Sequence, residues 1–487
     1  MEEKAKEICL MENIVAENRK TFKELEQEIY LVSCNAAVEI TRRILEHRDQ
    51  EIFEGHDRSV YKSEGYRKTS IKTVYGTVEY RRRCYRTTLE DGRIARIYLL
   101  DKELGVEKIG LISENLAEKI ADAATESPYR VAAESVTEMT GNSISAQGAW
   151  DMMQRLGERV IKEEEHAVNQ MNTNRSRGEK ILPVLFEEMD GVWIRQQGEH
   201  HEKKPKQEVK VAVTYEGWDS RKENRSTLVG KNVIAGIEDS RTFHDKREAE
   251  IRRKYDADEI GRRVLNGDGG SWICEPNDPD AIIQLDPFHV HKEIRRCIAD
   301  KEARAGIEEL LDAKDIEGAL SYIETYADSV DSDEPGDKKA RNARELLRYL
   351  SNNKDGLIPW QERGIELPEP PEGIAYKNMG VQENQNCTVI TMRMKHRRMR
   401  WSRSGGNNMV KALYRKENKE LHETISRYSG ELKFADEIAE IIEVLSASKA
   451  PKKDGKGSPY VEAFRGHMPM LDAMLTESRK WFRRVSQ

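Results

Sequence analysis

Acidic residues that end short apolar runs constrain this chain more than any other feature. The run Ile181-Leu182-Pro183-Val184-Leu185-Phe186-Glu187-Glu188-Met189 stops at Asp190. Val264-Leu265-Asn266-Gly267 leads into Asp268, and Gln284-Leu285 leads into Asp286. Runs of this length, bounded by glycine or proline, read as strands. A further acid, Glu383 in Gly380-Val381-Gln382-Glu383, stands before an apolar and then strongly basic segment. Three carboxylates gathered at one point raise one another's pKa unless cations lie between them, so Asp190, Asp268 and Glu383 together point to a divalent-metal site. Hard oxygen ligands hold Mg²⁺ or Mn²⁺, and two ions about 4 Å apart clamp the attacking and leaving oxygens of a phosphodiester. Glu187 and Glu188 are alternatives for the first acid and Glu372 for the third.

The pattern along the chain predicts an α/β multidomain protein in seven segments. Residues 1–56 are helical, with Leu25, Ile29, Val32, Ala36, Ile40 and Ile44 at helical spacing. Residues 57–105 form a basic β-hairpin region, with strands 69–75 and 77–85 about a turn at Gly76. Residues 106–178 are helical and resemble a helix-turn-helix. Tyr129–Met139 is its first helix, Thr140-Gly141-Asn142 its turn, and the second helix starts at Ser143. Ser143, Ser145, Gln147 and Gln154 are its candidates for facing bases or phosphates. Residues 179–297 carry strands at 181–190, 192–197, 208–216, 232–238, 263–267 and 281–286, with a hairpin directly after Asp190 and a helix at 244–254. A meander followed by alternating helix and strand is the order of an RNase H-like sheet. Residues 298–378 are an all-helical insertion. Residues 379–413 return to the core with a helix at 383–396 bearing the third acid. Residues 414–487 are a charged tail, with helices at 414–429 and 434–446 and a loop at 451–458.

Net charge is −7, from 81 Lys+Arg against 88 Asp+Glu, and the distribution matters more than the sum. Arg67, Lys68, Lys72, Arg81, Arg82 and Arg83 crowd the hairpin. Arg393, Lys395, Arg397, Arg398 and Arg400 crowd the segment after Glu383. Alternating arginines on a ribbon serve DNA phosphates or keep an edge strand soluble. Six scattered cysteines with no CxxC pair disfavour structural zinc and a disulfide framework. No apolar leader follows Met1 and no window is long enough to span a bilayer; with the cysteine usage this fits a reducing cytoplasm, and the expected DNA partner makes the protein nucleoid-associated. Asp286 and His289, three residues apart across a strand-to-helix turn, can orient one another.

Taken together, several pieces resemble bacterial insertion-sequence transposases of the family named after a Lactobacillus reuteri element, relatives of the Mutator-like DDE transposases. They are Asp190-Gly191, Gly267-Asp268-Gly269-Gly270-Ser271-Trp272-Ile273, Leu285-Asp286-Pro287-Phe288-His289, and Glu383, followed by Arg393-Met394-Lys395, Met399-Arg400-Trp401-Ser402, Gly405 and Met409. The resemblance implies that Asp190, Asp268 and Glu383 are the metal ligands, with Asp286 and His289 as an Asp-x-x-His element beside the second aspartate. It implies an RNase H-like core with the helical insertion before the glutamate, and two Mg²⁺ or Mn²⁺ ions. The reaction would be cleavage of double-stranded DNA at terminal inverted repeats and strand transfer into target DNA, by a homodimer or larger assembly. Arg393, Lys395, Arg397, Arg398 and Arg400 would grip the backbone, and Trp401 would stack on an unpaired base or fill the core. A sequence-specific DNA-binding protein with an inactive fold and a structure-specific nuclease are the alternatives.

Overall fold

The computed structural model describes residues 21–89, 91–105, 112–198, 204–221, 227–273, 280–331 and 338–427. The described chain divides into two compact units, one up to Leu156 together with the residues from Leu421, the other Gly157–Glu420.

The first unit opens with α1 (Phe22–Gly55), started by a reciprocal cap in which Thr21 Oγ1 accepts from the Glu24 amide while the Thr21 amide donates to Glu24 Oε2 at 2.7 Å. Strands β1 (Lys62–Thr73), β2 (Gly76–Thr88) and β3 (Ile94–Ile97) form an antiparallel sheet. Thr73 pairs with Gly76, so the hairpin turn falls on Val74-Tyr75 rather than on Gly76 itself. Leu45 of α1, Ile71, Val78, Tyr80 and Leu100 close a small core. Helices α2 (Leu99–Leu104), α3 (Glu114–Glu126) and α4 (Tyr129–Thr140) follow. α4 ends on Gly141 at φ 64°, a left-handed cap that suits glycine. α5 (Ala146–Asn172) begins three residues later than the sequence suggests, because Ser145 Oγ accepts from the Gly148 amide at 2.9 Å and so starts the helix. Gln147 is exposed and donates to Asp151, whereas Gln154 is buried and does not face solvent as expected.

The second unit is mixed α/β. Its elements are β4 (Val184–Ile194), β5 (Gln207–Tyr215), β6 (Gly217–Asp219), β7 (Leu228–Val229), β8 (Asn232–Gly236), α6 (Ser240–Lys254), β9 (Arg262–Gly267), β10 (Ile282–Leu285), α7 (Pro287–Cys297), α8 (Lys301–Asp312), α9 (Ile316–Ser329), α10 (Lys339–Asn352), β11 (Ile374–Ala375), α11 (Gln382–Gln385) and α12 (Arg403–Glu417). The main sheet has the order β10-β9-β4-β5-β8. β4, β5 and β8 are antiparallel, while β4, β9 and β10 are parallel. β11, β6 and β7 form a small second sheet that the sequence pattern does not suggest.

The expected hairpin after Asp190 is not there. β4 runs through Asp190 and Gly191 to Ile194, with Asp190 opposite Val211 and Gly191 opposite Lys210. The segment 298–378, expected to be all-helical, holds α8–α10 but ends in short turns and in β11, which pairs with β6. The helices share one core with α7 and the end of β10, formed by Leu285, Val290, Ile294, Ile307, Ile323 and Leu346 among others. The helix expected at 383–396 begins as α11, continues as a π-helical stretch Asn386–Thr391 and ends with the turn Met392–Met394. In place of a helix at 414–429 there is α12, then a break at Asn418, then the short helix Leu421–Ser426. The expected helix at 434–446 and loop at 451–458 lie outside the described residues. Among the described residues no helix is long and apolar enough to cross a membrane.

Beneath α12 lies a four-membered ionic cluster. Lys411 Nζ is 2.9 Å from Glu164 and 2.7 Å from Glu238, and Lys246 Nζ is 2.7 Å from Glu164 and 2.8 Å from Glu238. Burial alone would raise the Glu238 pKa, but Lys411 and Lys246 hold it down at about 2. Since that is below the ordinary carboxylate value, the stabilisation is complete above roughly pH 4.5 and is lost as pH falls toward 2. Glu238→Gln will therefore flatten the pH dependence of unfolding in that window. Lys411→Met, which leaves Lys246 as the one cation between two buried carboxylates, will cost roughly 3–5 kcal/mol in chemical denaturation.

Candidate metal centre

The sheet register brings the site together. Met189 pairs with Gly267, and Gly267 with Leu285. The next residues, Asp190, Asp268 and Asp286, therefore stand at the same level on three neighbouring parallel strands, about 4.8 Å from strand to strand, β4 running on past Asp190 while β9 and β10 stop. The Asp286 amide extends the pairing by donating to the Gly267 carbonyl at 2.8 Å. The glycines flanking Asp268 are needed. A Cβ at Gly267 would lie 2.4 Å from the Ile273 side chain, and Gly269 adopts φ 79°. Tyr349 of α10 donates to the Asp268 carbonyl at 2.9 Å, so the helical insertion braces this loop.

Ligand atoms of Asp190, Asp268 and His289 lie within 4.8 Å of one another and can hold a metal ion. Asp190 is held from both sides: Oδ1 accepts from the Gly191 amide at 2.7 Å, and Oδ2 from Asn386 Nδ2 at 2.6 Å. His289 enters from the first turn of α7, with Nδ1 2.8 Å from Asp286 Oδ2 and Nε2 3.7 Å from Asp190 Oδ2. A carboxylate that accepts the Nδ1–H hydrogen bond leaves the Nε2 lone pair facing the group, the usual arrangement behind a metal-bound imidazole. Burial raises the Asp190 pKa, and the charge of Asp268 adds to the rise, against the His289, Gly191 and Asn386 contacts that lower it. For His289 burial works downward, but the Asp286 bond and the charge of Asp190 prevail and raise its pKa. The Asp190 shift reports burial first, and the His289 shift reports the negative charge around it, which a divalent cation would meet. Two carboxylates and an imidazole suit Mn²⁺ or another transition ion at least as well as Mg²⁺.

The neighbouring acids of β4 are engaged elsewhere. Glu187, on the opposite face, is 2.7 Å from Arg263 and 3.5 Å from Arg247. Glu188 shares the Asp190 face and is fully buried. Its carboxylate accepts from the amides of Gly380, Val381 and Gln382 at 3.0–3.2 Å, from the Tyr215 hydroxyl at 2.7 Å and from Asn266 at 3.2 Å. A side-chain anion thus sits at the N-terminus of the helix bearing Glu383, where unpaired amides and the helix dipole favour it. Gly380, at φ 134°, gives the chain its entry into that contact.

Glu383 itself is exposed and is not part of the close group. The residue that reaches Asp190 from this helix is Asn386, one turn onward and on the same helix face as Glu383. It opens the π-helical stretch, a feature that recurs at functional sites. Asn386 was not foreseen. The only signal for it was its i+3 spacing from Glu383. Glu372 is likewise exposed and outside the close group.

The basic candidates split into two sets. Arg67, Lys68 and Arg81 are exposed, and Lys68 stands directly across the hairpin from Arg81. Arg82 and Arg83 turn inward, contrary to expectation. Arg82 Nε is 2.5 Å from Asp101, and Arg83 is 2.8 Å from the buried Asp49. Lys72 donates to the Ser143 carbonyl at 2.6 Å. In the second unit Lys395, Arg397, Arg398 and Arg400 are exposed, and Arg397 and Arg398 both hold positive φ, 57° and 55°. Arg393 is buried against the Trp401 ring. Trp401 is 8% exposed and donates Nε1–H to the Met394 carbonyl, so it belongs to the core and offers no free face to a base. Its main chain bonds Arg195 and Gln197 at the end of β4 and closes the basic loop from behind.

A protein of Streptococcus gallolyticus, named UPF0236 protein in vanSb 3'region, is 25% identical over 407 residues, 81% of this chain and 83% of that relative. The model of the Uncharacterised protein family (UPF0236) matches residues 15–426, a span that contains every residue of the metal centre. The chain belongs to the UPF0236 family.

Proposed function

We propose that this protein is a DDE-type DNA transposase with an RNase H-like core, which cuts phosphodiesters at the ends of an insertion sequence and joins them to target DNA. The observation that carries the reading is the convergence of Asp190 within β4, Asp268 just past the adjacent parallel strand β9, and His289 in the first turn of α7 after β10. An antiparallel meander, β4-β5-β8, followed through α6 by the parallel strands β9 and β10, supports the RNase H-like assignment. Asp190, Asp268 and the Nε2 of His289 would hold one divalent cation, and Glu383 is the natural ligand for a second. A metal held there would neutralise charge on the attacked phosphate and acidify water.

The rest of the task falls to the chain itself. Gly191 and Asn386 fix both oxygens of Asp190, and Asp286 fixes the tautomer and plane of His289. Glu188 pins the helix that carries Glu383. The exposed cations at 395–400 draw DNA phosphates toward the unit that bears the site. On the hairpin, Lys68 and Arg81 face each other across the strands, a like-charge pair that costs stability unless an anion binds between them. A sequence-specific DNA-binding protein with an inactive fold is the second reading, favoured by the position of Glu383 outside the close group. Cleavage of terminal-repeat DNA in Mn²⁺ separates the two, since binding without nicking supports only the second.

Metal binding can be read without activity. At a hundredfold excess of Mn²⁺ over its Kd, the melting temperature should rise by about 5 °C or more. Asp190→Asn should remove that rise, and an equal shift in the variant would place the ion elsewhere.

A further inference from the structure

The exposed side of α7 is unlike its buried side. Val290, Ile294 and Cys297 face the core shared with α8–α10. On the other side Phe288 is 52% exposed, Lys292 and Arg295 are exposed, and His291 is half-buried. Spacings of four and seven residues put Lys292 and Arg295 on the helix face that Phe288 begins, about 6 and 10.5 Å along the axis from it. These residues and Glu308 of α8 line an open cavity of about 430 Å³. Glu308, the acid in this lining, is engaged by His291, whose Nδ1 is 3.2 Å from its carboxylate. Lys292 Nζ lies 5.9 Å from the Phe288 ring centroid, and Phe288 packs edge-on against His289 with centroids 5.4 Å apart. The groove therefore starts at Phe288, whose ring packs on the metal-centre residue His289, and continues from that aromatic face to two cations.

An aromatic platform followed by a positive track is how proteins hold single-stranded nucleic acid, since every base has a face to stack and every phosphate a charge to pair. A duplex would hide its base faces from Phe288. We infer that this groove binds a single-stranded DNA segment, with Phe288 stacked on an unpaired base and Lys292 and Arg295 paired to the phosphates beyond it. The inference deepens the proposed function, because it seats an unpaired strand end beside the group that would cut or join it.

The test is a titration of the full chain, in EDTA so that no cutting occurs, with a single-stranded oligonucleotide carrying 2-aminopurine. Wild type should quench the fluorophore by stacking. Phe288→Ala should lose the quench and bind about tenfold more weakly, while Phe288→Trp restores both. Blunt duplex binding should be unchanged by Phe288→Ala. Replacing Lys292 and Arg295 together by alanine should lower the log–log salt slope by about 1.4, the value for two single-strand phosphates. The core face of α7 is untouched by these changes, and a melting curve equal to wild type checks that. Single-strand affinity and quench unaltered in a folded Phe288→Ala overturn the inference. If wild type cuts repeat DNA in Mn²⁺ while Phe288→Ala binds as wild type does, the groove assignment alone falls. If wild type does not cut but the Phe288 effect is present, the groove stands and the proposed function falls.

Discussion

Asp268→Asn will abolish divalent-metal-dependent nicking of terminal-repeat DNA while leaving affinity for that DNA within about twofold. The substitution is nearly isosteric. An asparagine Oδ1 can still accept from the Gly270 amide, as Asp268 Oδ1 does at 2.8 Å, so the glycine-rich loop keeps its shape. What is lost is one of the two anions whose oxygens, with His289, converge within 4.8 Å. Removing a ligand from such a site should cost about 4 kcal/mol of transition-state stabilisation or more, a rate loss on the order of 10³-fold. In the proposed function DNA affinity would rest on cations elsewhere, among them Lys68, Arg81, Lys395 and Arg400, and should persist. Nicking at the wild-type rate by a folded Asp268→Asn protein would refute the site.

Glu188→Gln should have the second-largest effect, through structure rather than ligation. The carboxylate accepts three main-chain amides, the Tyr215 hydroxyl and the Asn266 amide while fully buried. Glutamine keeps the volume but turns one acceptor into a donor aimed at other donors. Leaving one or two buried amides without an acceptor costs about 1–3 kcal/mol each, so urea denaturation should show a loss of roughly 2–4 kcal/mol. Amide hydrogen exchange should accelerate at Gly380, Val381 and Gln382 more than at β4. With the helix free to shift, Asn386 and Glu383 lose their fixed relation to Asp190, and a misplacement near 1 Å is worth about 10²-fold in rate. A variant as stable as wild type, with unaltered exchange at those amides, would show that Glu188 does not anchor the helix.

The parts of the site that were legible in the sequence are those set by local pattern. Asp190, Asp268 and Asp286 each follow an apolar run, and parallel pairing carries all three to one level. His289 was legible because Asp286 precedes it by one helical turn. The helical insertion was legible from periodicity, since α8–α10 follow their apolar spacing closely. What stayed hidden depends on partners distant in the chain. Gly191 looks like a turn until Lys210 of β5 pairs with it. Arg82 and Arg83 look like phosphate ligands until Asp101 and Asp49 take them inward. Trp401 and Arg393 look like a DNA grip until they pack on each other under the basic loop. Nothing near Glu188 indicates that it caps a helix beginning almost two hundred residues later. Asn386, likewise, reveals its role only once the helix lies on the Asp190 face.

The most direct measurement is an anomalous-difference map from crystals of the full chain grown with Mn²⁺. The account predicts a peak within about 2.0–2.3 Å of a carboxylate oxygen of Asp190, a carboxylate oxygen of Asp268 and Nε2 of His289. Manganese bound at other residues, with these three side chains bare at saturating metal, would contradict it.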